Sequence, residues 1–167
     1  MDDIVGQIKG EIIPLNESYF DSARQVVTYW HKCRQHRSMP SWPDFELMKL
    51  PLELVPRTLV VDRMDDPRNF IYRFFGTAQV TAHGRDLTGQ SLRGNYTTEL
   101  VDFIFDQYQT VIGQMVPVMF RIQVPLENNV TRCSDILRCP LSDDDQYVNV
   151  ILSVEGTFID RSTGQVD

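Results

Sequence analysis

The 167-residue sequence predicts an α+β fold: an antiparallel sheet of about five strands with helices on one face and an additional N-terminal helix. Three observations carry this expectation. Residues 118–126 and 148–158 place apolar side chains at every second position, as half-buried strands do. Residues 98–114 carry an apolar stripe at the spacing of a helix laid on a sheet. The elements run helix, two strands, several short helical segments, then three strands, with no internal repeat or low-complexity linker.

With 42% hydrophobic residues, a chain of this length buries most of the surface that its unfolded form exposes, so one core is expected. Sixteen basic against 23 acidic residues give a net charge of -7, which disfavours the phosphate neutralisation behind nucleic-acid binding. No apolar run approaches the roughly 20 residues of a membrane-spanning helix, and Met1-Asp2-Asp3 lacks the basic start of a secretory signal. The expectation is a cytoplasmic protein with neither nucleic acid nor membrane as partner. Cys33, Cys133 and Cys139 show no Cys-x-x-Cys spacing and read as reduced thiols. The reading divides the chain into an N-terminal extension (1–17), one domain (18–160) and a C-terminal tail (161–167).

Ser18-Tyr19-Phe20-Asp21 resembles a capping box, and Phe20, Ala23, Val27 and Trp30 follow at helical spacing, so a first helix is predicted over 18–35. Pro40 and Pro43 end it in a turn that anchors Trp42. Residues 50–56 read as a proline-bounded helical turn. Strands are predicted over 58–64 and 70–75, joined by the turn Asp65-Asp66-Pro67-Arg68-Asn69. A short helix follows over 78–83, then the glycine-flanked turn Gly84-Arg85-Asp86-Leu87-Thr88-Gly89. The long helix, 98–114, fades at Gly113. Val118, Phe120, Ile122, Val124 and Leu126 define one later strand; Val148, Val150, Leu152, Val154 and Phe158 define the last. A third lies between them over 131–141.

Five motifs, Pro40-Ser41-Trp42-Pro43-Asp44-Phe45, Leu50-Pro51-Leu52-Glu53-Leu54-Val55-Pro56, Tyr72-Arg73-Phe74-Phe75-Gly76-Thr77, Gly84-Arg85-Asp86-Leu87-Thr88-Gly89 and Pro140-Leu141-Ser142-Asp143, occur in order. Together, over about residues 25–155, they resemble a bacterial PAS-like family of single-domain proteins first catalogued as a domain of unknown function. The resemblance implies a PAS-like fold and a non-catalytic sensor or adaptor that binds a small molecule or a protein partner. It implies no shared catalytic residues and names no cofactor. The Asn-Cys-Arg-Phe string of flavin photosensors is missing, and His83 stands where the family pattern has a larger apolar or aromatic residue.

Five residues are candidates for ligand binding. Tyr72 is read on one strand face with Phe70 and Phe74, where a phenol among aromatics orients a small molecule. His83 offers a titratable imidazole, and Arg85 a cation in the glycine-flanked turn that pairs with Asp86, Asp62 or an anion. Asp135 alternates with Cys133, Leu137 and Cys139 on an apolar face, where a carboxylate needs a partner: a ligand, an arginine, or a bulge that turns it outward. Phe20, Val27 and Trp30 are candidates for an intersubunit interface, with docking on the outer sheet face as the equal alternative. The leading reading is therefore a sensor with a small-molecule ligand, a signalling protein partner and scope for a homodimer. Its alternatives are a dimerisation module with a filled core, or an enzyme with Asp135 or His83 as base and Tyr72 as oxyanion donor.

Overall fold

The computed structural model describes residue 4 and residues 6–66 and 68–162. Three parts of the sequence reading lie outside the described residues: the opening Met1-Asp2-Asp3, Pro67 of the 65–69 turn, and residues 163–167 of the tail. One antiparallel sheet of seven strands organises the chain: β1 (Lys9–Ile13), β2 (Thr58–Arg63), β3 (Phe70–Phe75), β4 (Val118–Leu126), β5 (Val130–Leu141), β6 (Val150–Glu155) and β7 (Ile159–Ser162). The spatial order is β1-β4-β5-β6-β2-β3, and β7 pairs with the first part of β5 below β6. Three helices complete the fold: α1 (Ala23–Arg34), α2 (Thr77–His83) and α3 (Thr98–Gln114).

Pairing registers divide the sheet into two faces. Ser134, Ile136, Arg138 and Pro140 of β5 lie in line with Ile122, Phe120 and Val118 of β4 and with Glu155, Ser153 and Ile151 of β6. This inner face lies under α3 and α2: Arg138 bonds Gln107 of α3, and Gln79 of α2 bonds Glu155. The opposite, outer face carries Asp135, Leu137, Cys139 and Leu141 in line with Met119 and Leu152. It lies under α1 and residues 39–54, whose Ala23, Val26, Trp30, Met39, Phe45, Leu50 and Leu54 are buried with it. Trp30 Nε1–H donates to Pro140 O at 2.8 Å, just past the last β4 pair, Val118↔Arg138.

Three expectations are corrected by this arrangement. The sheet has seven strands rather than about five, because residues 9–13 form β1 beside β4 and residues 159–162 form β7. Four of the five β1 residues are exposed, so no apolar alternation marks that strand. The additional N-terminal helix, α1, docks on the outer sheet face, one of the two placements the sequence left open. That helix begins at Ala23, not near Ser18, because the Ser18 hydroxyl and the Tyr19 amide are both taken by Asp135. Phe158 does not continue the last core strand: β6 ends at Glu155, and Phe158 is exposed beneath the Arg132 guanidinium.

A β-bulge makes the fourth correction, and it bears on the site. Val60 pairs with Phe74 but Val61 pairs with Tyr72, so two residues of β2 face three of β3, with Arg73 extra. Tyr72 therefore shares the inner face with Phe75, their rings 5.0 Å apart in T-shaped contact, while Phe74 joins Val60 on the outer face. Arg73 pairs outward with Asp62 at 2.8 Å and lies over Trp42.

Gly76 joins β3 to α2, and a Cβ built there would stand 2.3 Å from Pro56 O and 2.8 Å from Thr58 O. These are backbone atoms, so no side-chain movement relieves the clash. Gly76→Ala is expected to lower stability by about 3 kcal/mol, read as a lower urea midpoint with an unchanged slope.

Candidate functional site

The two ionised residues buried in β5 sit on opposite faces and are treated differently. On the outer face, the Asp135 carboxylate accepts Arg121 Nε and Nη2 at 2.9 and 3.0 Å, the Tyr19 amide at 2.8 Å and the Ser18 hydroxyl at 3.0 Å. Burial alone would raise its pKa, but the Arg121 guanidinium and these donors hold the carboxyl below its usual range. Arg121 also stacks on the Tyr19 ring at 3.9 Å. Asp135 is a saturated pin between β5, β4 and the start of the α1 layer, and its acceptor sites are spent on the chain itself. It is thus not a free ligand-binding group, and of the readings made from sequence the arginine salt bridge is the one observed.

On the inner face, Arg138 is 3% exposed. Its Nε donates to Gln107 Oε1 at 2.9 Å, its Nη1 donates to the Ser153 hydroxyl at 2.8 Å, and its guanidinium lies over the Tyr108 ring at 4.8 Å. All three partners are neutral, and among the described residues Arg138 forms no ion pair. Two buried amides beside this layer are incompletely bonded: Gln107 Nε2 and Gln79 Oε1 have no hydrogen-bond partner. Gln79 Nε2 meanwhile donates to Glu155, whose other oxygen accepts the Ser134 hydroxyl.

Aromatic side chains close the layer toward the β3 end of the sheet. Tyr72 OH donates to Tyr96 OH at 3.4 Å, and Phe70 meets Tyr108 at 4.7 Å between centroids. Burial pushes the phenols of Tyr72, Tyr96 and Tyr108 up from their ordinary range, so all three stay neutral at physiological pH. On its far side Tyr96 lines a cleft of about 430 Å³, with Arg68, Arg93, Val101 and Phe105. Tyr96 therefore joins that cleft to Tyr72 and His83. Both arginines of that cleft are already paired, Arg68 with Asp102 and Arg93 with Asp66.

The remaining candidates are distributed as follows. His83 is half-buried on α2; its Nδ1–H donates to Gln79 O at 2.9 Å, and its ring meets Phe75 and Tyr96 edge-on. Arg85 is exposed and donates to Asn95 O at 3.1 Å, bracing the loop that carries Tyr96 rather than pairing with Asp86 or Asp62. Phe74 lies on the wrong face for the cluster because of the bulge. Phe20 and Trp30 are buried in the chain's own outer layer, whereas Val27 is partly buried and lines a groove with Ile12 and Val116. The structure thus brings Tyr72 and His83 together through Tyr96, and separates them from Phe74 and Asp135. Tyr96, Gln79, Gln107 and Arg138 were missed from sequence. For Arg138 a signal existed, because Ser134, Ile136, Arg138 and Pro140 form the companion face to the one on which Asp135 was noticed. Among the described residues no group of three His, Cys, Asp or Glu side chains is placed to hold a metal ion.

A family model described as PAS domain matches residues 19–154. No curated protein matches the chain in sequence.

Breaking the Asp135 pin has a defined pH signature. Its carboxyl titrates lower when folded than when unfolded, so its stabilisation is complete above about pH 4 and is lost as pH falls through the folded value. Asp135→Asn should cost about 3 kcal/mol at neutral pH, with the gap to the wild type narrowing on acidification. Urea unfolding at neutral and acid pH measures it.

Proposed function

We propose that this chain, which belongs to the PAS domain family, is a non-catalytic cytoplasmic sensor that receives a small molecule on the inner face of its sheet and passes the signal on by protein contact. The observation that carries the reading is the buried polar layer around Arg138, Gln107 and Gln79, which holds uncommitted hydrogen-bonding groups one tyrosine away from an open cleft. Buried polar atoms are ordinarily satisfied. A layer that leaves several open between a sheet and two helices has the character of a binding site: mostly apolar, with a few convergent polar groups. A non-catalytic role is supported by the engagement of Asp135, one of the groups considered as a base, which Arg121 holds.

Contact with a second copy is best supported at β1. The outer edge of β3 is covered by residues 89–92, through Gly89 N–H to Tyr72 O, Tyr72 N–H to Gln90 O and Leu92 N–H to Phe70 O. The corresponding edge of β1 has no strand beside it among the described residues. Antiparallel pairing of two β1 strands about Gly10 sets Lys9 of each opposite Glu11 of the other, a charge-complementary register. Beside that edge Ile12 and Val116 are exposed and line an apolar groove of about 280 Å³. This replaces the α1 stripe as the proposed homodimer contact.

Native mass spectrometry of freshly purified protein tests the receiving site: a retained small molecule is expected, and an empty protein that also binds none of a metabolite library would favour the filled-core dimerisation module. Ile12→Lys tests the edge. It should leave the unfolding midpoint within about 0.5 kcal/mol and shift sedimentation equilibrium from dimer to monomer; an unchanged mass excludes this edge.

A further inference from the structure

We infer that the ligand of the inner face is a small monocarboxylate whose anionic group takes the open donors of Arg138 and Gln107. The inference rests on the receiving-site reading above and names its chemistry.

The argument begins with donor bookkeeping. A guanidinium has five N–H donors and no acceptor. Arg138 donates through Nε to Gln107 and through Nη1 to Ser153, and the Tyr108 phenol is a third hydrogen-bond partner, so its five N–H groups outnumber its partners. Gln107 is oriented by Arg138, because only its carbonyl oxygen can accept from Nε; its free atom is therefore the amide Nε2, also a donor. Two neighbouring side chains that bond each other thus present open donors. A carboxylate brings acceptors alone to these donors, whereas a neutral alcohol or amide also brings a donor, for which Gln79 Oε1 is the open acceptor of the layer among the described residues.

Charge gives the same answer independently. Removing an arginine from water costs several kcal/mol unless an opposite charge accompanies it. The three nearby phenols are held neutral by burial, and Glu155, the carboxylate of this face, is engaged by Gln79 and Ser134. Arg138 is the one buried cation of the layer among the described residues and no carboxylate there contacts it, so an anion beside the guanidinium completes an ion pair. Tyr108, Phe70 and Tyr72 supply apolar surface beside it, which suits the hydrocarbon body of an aliphatic or aromatic acid.

Matched pairs of probes test this on the full chain: benzoate against benzamide and butyrate against butyramide, followed by thermal shift and by the arginine Nε–Hε resonances. At least one carboxylate is expected to bind saturably, at least tenfold more tightly than its amide, while moving a single arginine resonance. Arg138→Met should remove that resonance and weaken the carboxylate at least tenfold. Gln107→Leu, which keeps the guanidinium, should weaken it less. If Arg138→Met does not fold, the acid-to-amide ratio in the wild type and the Gln107→Leu variant decide alone. Equal binding of acid and amide overturns the carboxylate assignment and leaves the receiving site standing. Failure of all four probes also overturns the assignment, and together with an empty native mass spectrum it removes the receiving site as well.

Discussion

Residues 133–141 of β5 are buried along their whole length, with a helical layer on each side and strands on both edges. A strand in that position can carry an ionised side chain only where its charge is met, because the interior supplies no solvent to screen it. Two such residues occur three positions apart and so face opposite ways. Asp135 is met by Arg121 of the neighbouring strand, in the pair Arg121↔Asp135, and by two donors at the entrance to α1. Arg138 is met by neutral groups. The outer half of the molecule is consequently complete in itself, whereas the inner half carries a cation with bonding capacity to spare.

Hydrogen bonding beyond the sheet follows the same division. The outer layer is tied to the strand ends by main-chain contacts: Trp30 to Pro140, the Ser142 amide to Pro40, and Arg37 to Ser142, with Asp145 holding the amides of Ser38 and Met39. These bonds fix where α1 and the following segment lie, and they explain why most of the apolar stripe of the first helix is covered, with Val27 left lining the groove beside β1. The inner helices instead meet the sheet through side chains, Gln107 to Arg138 and Gln79 to Glu155. Side-chain contacts of this kind re-form with a ligand in place of a neighbour at far lower cost than the main-chain bonds opposite.

Periodicity made most of the scaffold legible. The stripe at 98–114 and the alternation at 118–126 mark α3 and β4, since one buried face imposes one period. Legibility failed where a second factor intervened. β6 is buried on both faces, so its apolar run gave no signal of where the strand ends, and Phe158 was carried along with it. The bulge opposite Val60 and Val61 adds one residue to β3 and exchanges the roles of Phe74 and Phe75; nothing in an unbroken aromatic run reveals such a slip. Asp135 stood out because a carboxylate interrupts an apolar alternation. Arg138 interrupts the companion alternation, but its neighbours there, Ser134 and Pro140, make that face look less apolar than its burial proves it to be.

Gly10 ties the receiving site to the edge of the sheet. A Cβ at that position would stand 3.2 Å from Gln107 Nε2 and 2.9 Å from the Phe103 ring, so β1 passes directly beneath the amide whose other end accepts from Arg138. A larger residue at position 10 would displace the Phe103 ring and the Gln107 amide. Gln107 Nε2 therefore both faces the edge strand and is the donor offered to the proposed anion, while Oε1 accepts from Arg138. A planar amide cannot reorient at one end without moving the other, so an acceptor drawn to Nε2 acts on the contact with Gly10 at the same time. The coupling between ligand and edge then runs through one side chain, and its strength is set by how differently that amide packs on β1 in the two states.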